Sequence, residues 1–184
     1  MTRVYYDTEF IEDGRTIDLI SIGIVTDDGR EYYAVNRDAP WKRIKRHDWL
    51  RENVLPSLPQ PHGDWILEAP KRWPINFMDP LVKRRDVIAR EVRDFLLDIA
   101  DRELWAWYGA YDHVVLCQLW GSMVDLPDGI PMWTNDLRQE AERLGNPRLP
   151  EQPSGVHNAL EDARHNLVRA KALAEISARE EPLD

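Results

Sequence analysis

The chain has 184 residues, 43% of them hydrophobic, and a formal net charge of -9. At about 100 to 200 residues per domain, this length suits one buried core and is short for two, so a single domain over 1–184 is expected. The acidic balance argues against a protein that coats long duplex nucleic acid with a basic surface, although an enzyme gripping only a strand end remains open. No segment approaches the roughly 18 apolar residues of a membrane span, and no basic leader precedes an apolar run. The expectation is a soluble, cytoplasmic protein with no membrane partner. The single cysteine, Cys117, cannot close an internal disulfide, and its apolar neighbours Val114, Val115, Leu116 and Leu119 predict a buried thiol on a helix.

Residues 3–10 read as a strand. Asp13-Gly14 turns the chain into the apolar run Ile17 to Val25, and Asp28-Gly29 turns it again into Glu31 to Val35, giving an antiparallel meander. Pro40 opens a basic amphipathic helix with Trp41, Ile44, Trp49, Leu50 and Val54 on its apolar side. Residues 55–80 carry six of the thirteen prolines together with Trp65 and Trp73, and read as a long loop or insertion. Asp79-Pro80 predicts a helix start, with an apolar stripe from Leu81 through Val92 to Ile99. A strand follows at Glu103 to Trp107, then a helix from about Asp112 to Trp120. A short strand near Met132 to Thr134 and a helix from Asp136 to Leu144 come next. After a loop holding Pro147, Pro150 and Pro153, the last helix runs from about Asn158 to Ala178. A meander followed by alternating helices and strands predicts an α/β layered domain with a mixed sheet and a central first strand.

Asp7 and Glu9 lie two apart on the first strand, so both point the same way, roughly 6.6 Å apart along it. No Lys or Arg lies within three residues of Asp7. A buried carboxylate without a counter-charge costs several kcal/mol, and a divalent cation is the usual remedy. Asp112 stands where a strand gives way to a helix, a position that commonly presents functional side chains. His157 and Asp162 would diverge by about 140° within one helix, and they converge only if His157 belongs to the loop before it.

Four carboxylates with one histidine suit two Mg²⁺ or Mn²⁺ ions and phosphodiester hydrolysis, since zinc would call for Cys or several His. Asp7 is read as the bridging ligand, with Glu9, Asp112 and Asp162 completing the metal set. His157 is read as the general base, because imidazoles exchange protons near neutral pH. Thr8, Phe10 and Tyr111, each next to a proposed ligand, are read as substrate contacts, the two aromatics by stacking. His113 and His165 are weaker bases; His165 reads as solvated or salt-bridged. Residues 37–93 hold thirteen Lys or Arg against eight Asp or Glu, which sets a basic flank beside the acidic site.

Asp7-Thr8-Glu9, Gly109-Ala110-Tyr111-Asp112 and His157-x4-Asp162 resemble the three motifs of the DEDDh 3′-to-5′ exonucleases of the ribonuclease H-like superfamily. The longer wording around Asp7 and the run Leu104 to Gly121 are more similar to the actinobacterial polyadenylate-specific exoribonucleases, the ribonuclease AS group. Tyr108 and Phe10-Ile11 depart from the general superfamily and match that narrower group. The resemblance covers roughly residues 1–55 and 80–175. It implies a five-stranded mixed sheet in the order 3-2-1-4-5, divalent metal dependence and a homodimer. The implied reaction releases nucleoside monophosphates from single-stranded RNA 3′ ends, with adenylate tails preferred. A 3′-to-5′ DNA exonuclease and a catalytically silent nucleic-acid-binding protein are the alternatives.

Overall fold

The computed structural model describes residues 1–61 and 74–180. Strands β1 (Thr2–Glu12), β2 (Ile17–Thr26) and β3 (Glu31–Asn36) form the expected meander. Helices α1 (Trp41–Ile44) and α2 (Asp48–Asn53) follow, then a 3-10 turn at Leu55–Ser57. Beyond them come β4 (Val82–Lys83), α3 (Arg85–Leu97), β5 (Arg102–Ala106) and α4 (Ala110–Cys117). The chain closes with β6 (Asn135–Asp136), α5 (Leu137–Arg143) and α6 (Ala159–Glu180).

The sheet order is β4-β3-β2-β1-β5-β6. Strand β1 lies inside it, antiparallel to β2 and parallel to β5. The expected five-strand order is present, extended at one edge by the two residues of β4. The difference originates at Asp79-Pro80, which makes a turn and not a helix start. The Asp79 carboxylate accepts the Leu81 N–H at 2.9 Å, and Val82 then pairs with Val35. Helix α3 begins only at Arg85, whose N–H is accepted by Asp38 Oδ2 at 3.0 Å.

The basic helix expected after Pro40 is broken in two by His47, whose side chain accepts the Leu50 N–H. This restart resets the helical phase. Ile44, Leu50 and Val54 stay buried, whereas Trp49 is 47% exposed. The short strand expected at 132–134 lies slightly later, at Asn135–Asp136, and leaves Met132 and Trp133 exposed. Residues 62–73, with Trp65 and Trp73, fall outside the described part of the expected loop. Its far end returns to the body, where Ile75 is buried and the Asn76 N–H donates to the Pro59 carbonyl.

Alternation along β1 divides the core. Val4 and Tyr6 join Ile22, Ile24 and Leu104 under α3 and α4, where Ile88, Val92 and Leu96 supply the i, i+4 stripe. Tyr5 faces the other way, with Leu137, Ala141, Ala170 and Leu173 of α5 and α6. A third cluster joins Ile11, Ile20 and Val35 to Leu50, Val54 and Leu55. Ile20 is the unpaired residue of a bulge, because Glu9 pairs with Ser21 and Phe10 with Leu19. Bulges re-aim side chains, and this one sits beside Glu9.

Gly23 pairs with Asp7 across β1 and β2. A Cβ on Gly23 would lie 2.2 Å from the Ala159 carbonyl oxygen and 2.3 Å from the Leu160 nitrogen. The start of α6 therefore rests directly on β2 beside Asp7, an approach that only glycine permits. Gly23→Ala should lift the helix start and cost about 1 to 3 kcal/mol of stability, read as a lower urea midpoint. An unchanged midpoint would show that the helix does not bear on this strand.

Candidate active site

The five side chains singled out above come from three places that the fold brings to one end of β1. Asp7 and Glu9 project from β1 toward the α6 side. Asp112 is the third residue of α4, and His157 and Asp162 flank the start of α6. Donor atoms of Glu9, His157 and Asp162 all lie within 4.8 Å of one another. Asp7 and Asp112 face the same acids. Burial, then the Asp112, Glu9 and Asp162 carboxylates, hold Asp7 well above the ordinary carboxyl range, with Arg169 opposing them. Glu9 is pushed up to about 8 by burial and then by Asp162 and Asp112. Asp112 is raised to about 6, chiefly by burial, against the hydrogen bonds of Thr8. Burial also raises Asp162.

Each helix-borne acid is held by neutral donors. The Thr8 N–H and hydroxyl both donate to Asp112 Oδ1, at 2.8 and 2.6 Å. Thr8 is buried, so the residue expected at the substrate is instead committed to a carboxylate. Gln152 Nε2 donates to Asp162 Oδ1 at 2.7 Å, and the His157 N–H to Asp162 Oδ2 at 2.9 Å. The proline-containing lead-in to α6 thus grips Asp162 from outside the helix. His157 lies in that loop, as convergence required, with a positive φ of 66°.

Phe10 and Tyr111 stack on each other, ring centres 5.8 Å apart and planes 10° from parallel. Tyr111 is largely exposed, so the pair forms an aromatic ledge beside Glu9 and Asp112. His165 is buried and not solvated, and burial pushes it down. Cys117 is half-buried, its Sγ 3.5 Å from His113 Nε2.

Three contributors had a weak signal in the sequence or none. Asp136 accepts the N–H groups of Tyr108 and Gly109 at 3.1 and 3.2 Å and also that of Arg138 at 2.8 Å. One carboxylate thereby fixes the turn that launches Asp112 and caps α5; its place at the start of a polar helix was the available signal. Gln152 carried none. Arg169, seven residues beyond Asp162, sets its guanidinium 4.5 Å from the Trp107 ring centre and brings positive charge to Asp7 and Asp162. The cation missing near Asp7 in the sequence is supplied in part by the fold.

Oxygen donors with one imidazole suit a hard divalent cation. The raised carboxyls point the same way, because a single Arg leaves the cluster short of positive charge. A mixed sheet with an internal β1 gathers these acids at one end of that strand. The match to the 3′-5′ exoribonuclease Rv2179c-like domain runs over residues 2–176, and the chain belongs to that family. It is 48% identical over 173 residues to the 3′-5′ exoribonuclease Rv2179c of Mycobacterium tuberculosis strain H37Rv, covering 93% of this chain and 92% of the relative. Among solved structures, a chain from the complex of the yeast NOT1 MIF4G domain with CAF1 matches at 14% identity and a TM-score of 0.51. That match covers 98% of this chain and 81% of the other and is a likeness of fold. The nuclease domain of 3′hExo, a DEDDh member bound to rAMP, aligns at 14% identity and a TM-score of 0.49, over 96% and 92% of the two chains.

A carboxyl raised in the folded state binds its proton more tightly there than in the unfolded chain. Glu9 therefore contributes stability below its ordinary value of 4.5 and loses it as pH rises through about 8, and Asp112 loses its share through about 6. In EDTA the melting temperature should fall between pH 5 and pH 8, and Mg²⁺ or Mn²⁺ should recover it at pH 8. Asp7→Asn should raise the pH 8 value in EDTA, and a lower one would argue against carboxylate repulsion.

Proposed function

We propose that the protein hydrolyses single-stranded RNA from its 3′ end, releasing nucleoside monophosphates with the help of two Mg²⁺ or Mn²⁺ ions. The observation that carries this reading is the meeting of Glu9, His157 and Asp162 donor atoms within 4.8 Å beside Asp7 and Asp112. Membership of the exoribonuclease family supports it. Asp7, Glu9, Asp112 and Asp162 would hold the ions. Bound divalent cations supply the charge that makes a water nucleophilic and offsets charge on the departing 3′ oxygen.

The chain's own residues do the rest. Thr8 fixes Asp112 through Oδ1, while Gln152 and the His157 N–H fix Asp162 through Oδ1 and Oδ2, so neither carboxylate is free to rotate. The His157 imidazole takes the proton of the attacking water. The Phe10–Tyr111 ledge offers a stacking surface for a terminal base, a contact worth about 1 to 3 kcal/mol. Adenylate-rich ends are the preferred substrate in this reading, on the resemblance of the longer motif wording. The lone Cys117 supports a place of action in the reducing cytoplasm.

The test is stepwise release of monophosphates from matched RNA and DNA oligomers, and from oligoadenylate against oligouridylate. RNA and oligoadenylate should be degraded faster, with no activity in EDTA. Faster DNA cleavage would favour a DNA exonuclease, because the 2′-OH is the group that separates the substrates. Asp7→Asn should abolish turnover. His157→Ala should lower kcat by about 10² to 10⁴ without loss of fold.

The homodimer belongs to the same proposal. Val124, Trp133, Met123 and Met132 are all at least half exposed, and no Lys or Arg lies between Glu103 and Leu137. Such apolar exposure suits a protein partner. Sedimentation should give twice the chain mass, and Val124→Asp with Trp133→Asp should halve it. A wild-type monomer at micromolar concentration would remove this part of the reading.

A further inference from the structure

His157 is the best-secured residue of the acidic site, and its restraints come from a segment outside the sheet. Its φ of 66° is one that side chains other than glycine seldom adopt. Such a conformation persists where surrounding contacts hold it. The His157 N–H is tied to Asp162 Oδ2 at 2.9 Å, and the His157 carbonyl accepts the Ser57 hydroxyl at 2.5 Å. Asn158 Nδ2 donates in turn to the Ser57 carbonyl at 3.0 Å, so the loop and the 3-10 turn are joined by reciprocal bonds. The Trp49 indole meets the imidazole edge to face, ring centres 4.8 Å apart and planes at 76°.

Trp49 lies outside the core clusters of the described residues. It is 47% exposed on a short helix whose Leu50 turns into the core, and its ring meets that of His157. The helix is itself anchored, since Leu50, Val54 and Leu55 pack with Ile11, Ile20 and Val35 of the sheet. A rigid wall is thereby carried from the sheet, through α2, to the imidazole.

We propose that Trp49 and Ser57 are positioning residues for His157, Ser57 fixing its main chain and Trp49 its ring. This rests on the reading of His157 as the base. A base must sit within hydrogen-bond reach of the proton it takes. An imidazole free to swing about its side-chain bonds would spend most of its time away from that place. The bonds to the N–H and the carbonyl hold the main chain from which the ring projects, and the indole blocks one side of its swing. The cluster of Leu50, Val54 and Leu55 with Ile11 and Ile20 thus contributes to turnover although none of its residues touches substrate.

The test is steady-state kinetics on an RNA oligomer for Trp49→Ala, Trp49→Phe and Ser57→Ala, each alone and in a His157→Ala background. Trp49→Ala should lower kcat by about 10- to 100-fold with KM within about twofold, as expected for misplacement of a reacting group. Trp49→Phe should recover most of the rate, and Ser57→Ala should show a smaller loss of the same kind. Neither alanine should cost anything further when His157 is absent. Equal losses with and without His157, a rise in KM with kcat intact, or a wild-type rate for Trp49→Ala would each overturn the proposal. A fully active His157→Ala would instead overturn the base assignment and this inference with it, and the two failures are separate observations. Trp49→Phe and Ser57→Ala keep the test available if Trp49→Ala does not fold.

Discussion

Like charges repel most strongly where water is scarce, and this structure places four carboxylates in one poorly solvated space. Everything around them either tolerates that repulsion or makes use of it. Two of the acids are fixed by the pleat of β1, which cannot splay them apart. The others are fastened by Thr8, Gln152 and a main-chain N–H, neutral groups that orient a carboxylate without neutralising it. A bidentate arginine on each acid would have stabilised the fold and occupied the oxygens a cation needs. Arg169, held against Trp107, lowers the repulsion without ending it.

The same logic explains the plainer parts of the architecture. A long helix must deliver Asp162 to the middle of a sheet, and it does so by lying on the one residue of β2 that has no side chain to lift it. The turn that launches Asp112 is fastened by Asp136, which belongs to the next strand and helix. The loop that carries His157 is fastened by Ser57, from the far side of the meander. Each functional group is thus anchored by an element distant in sequence, and the site is an outcome of the whole fold.

Much of this was legible in the chain itself. The meander follows from apolar runs separated by two Asp-Gly turns, and the acids follow from their spacing on strand and helix starts. Local capping chemistry decided what was not legible. Asp79-Pro80 looks like a helix start until Asp79 spends its carboxylate on Leu81 and leaves Val82 to the sheet edge. The helix after Pro40 looks continuous until His47 caps a second one and turns Trp49 outward. Thr8, flanked by acids, reads as a substrate contact because nothing in the sequence says that Asp112 will reach it. Gln152, Asp136 and Arg169 act across distances that periodicity does not encode.

The pairing of Asp7 with Gly23 also makes the alignment of one hairpin decisive. A shift of a single residue between β1 and β2 would turn Asp7 and Glu9 to the opposite face and set a bulky neighbour beneath the start of α6. Such a molecule would keep its strand and helix content, yet have no place for a cation. Ion affinity, more than spectroscopic secondary structure, is therefore the measure of whether a preparation of this protein has reached its native arrangement.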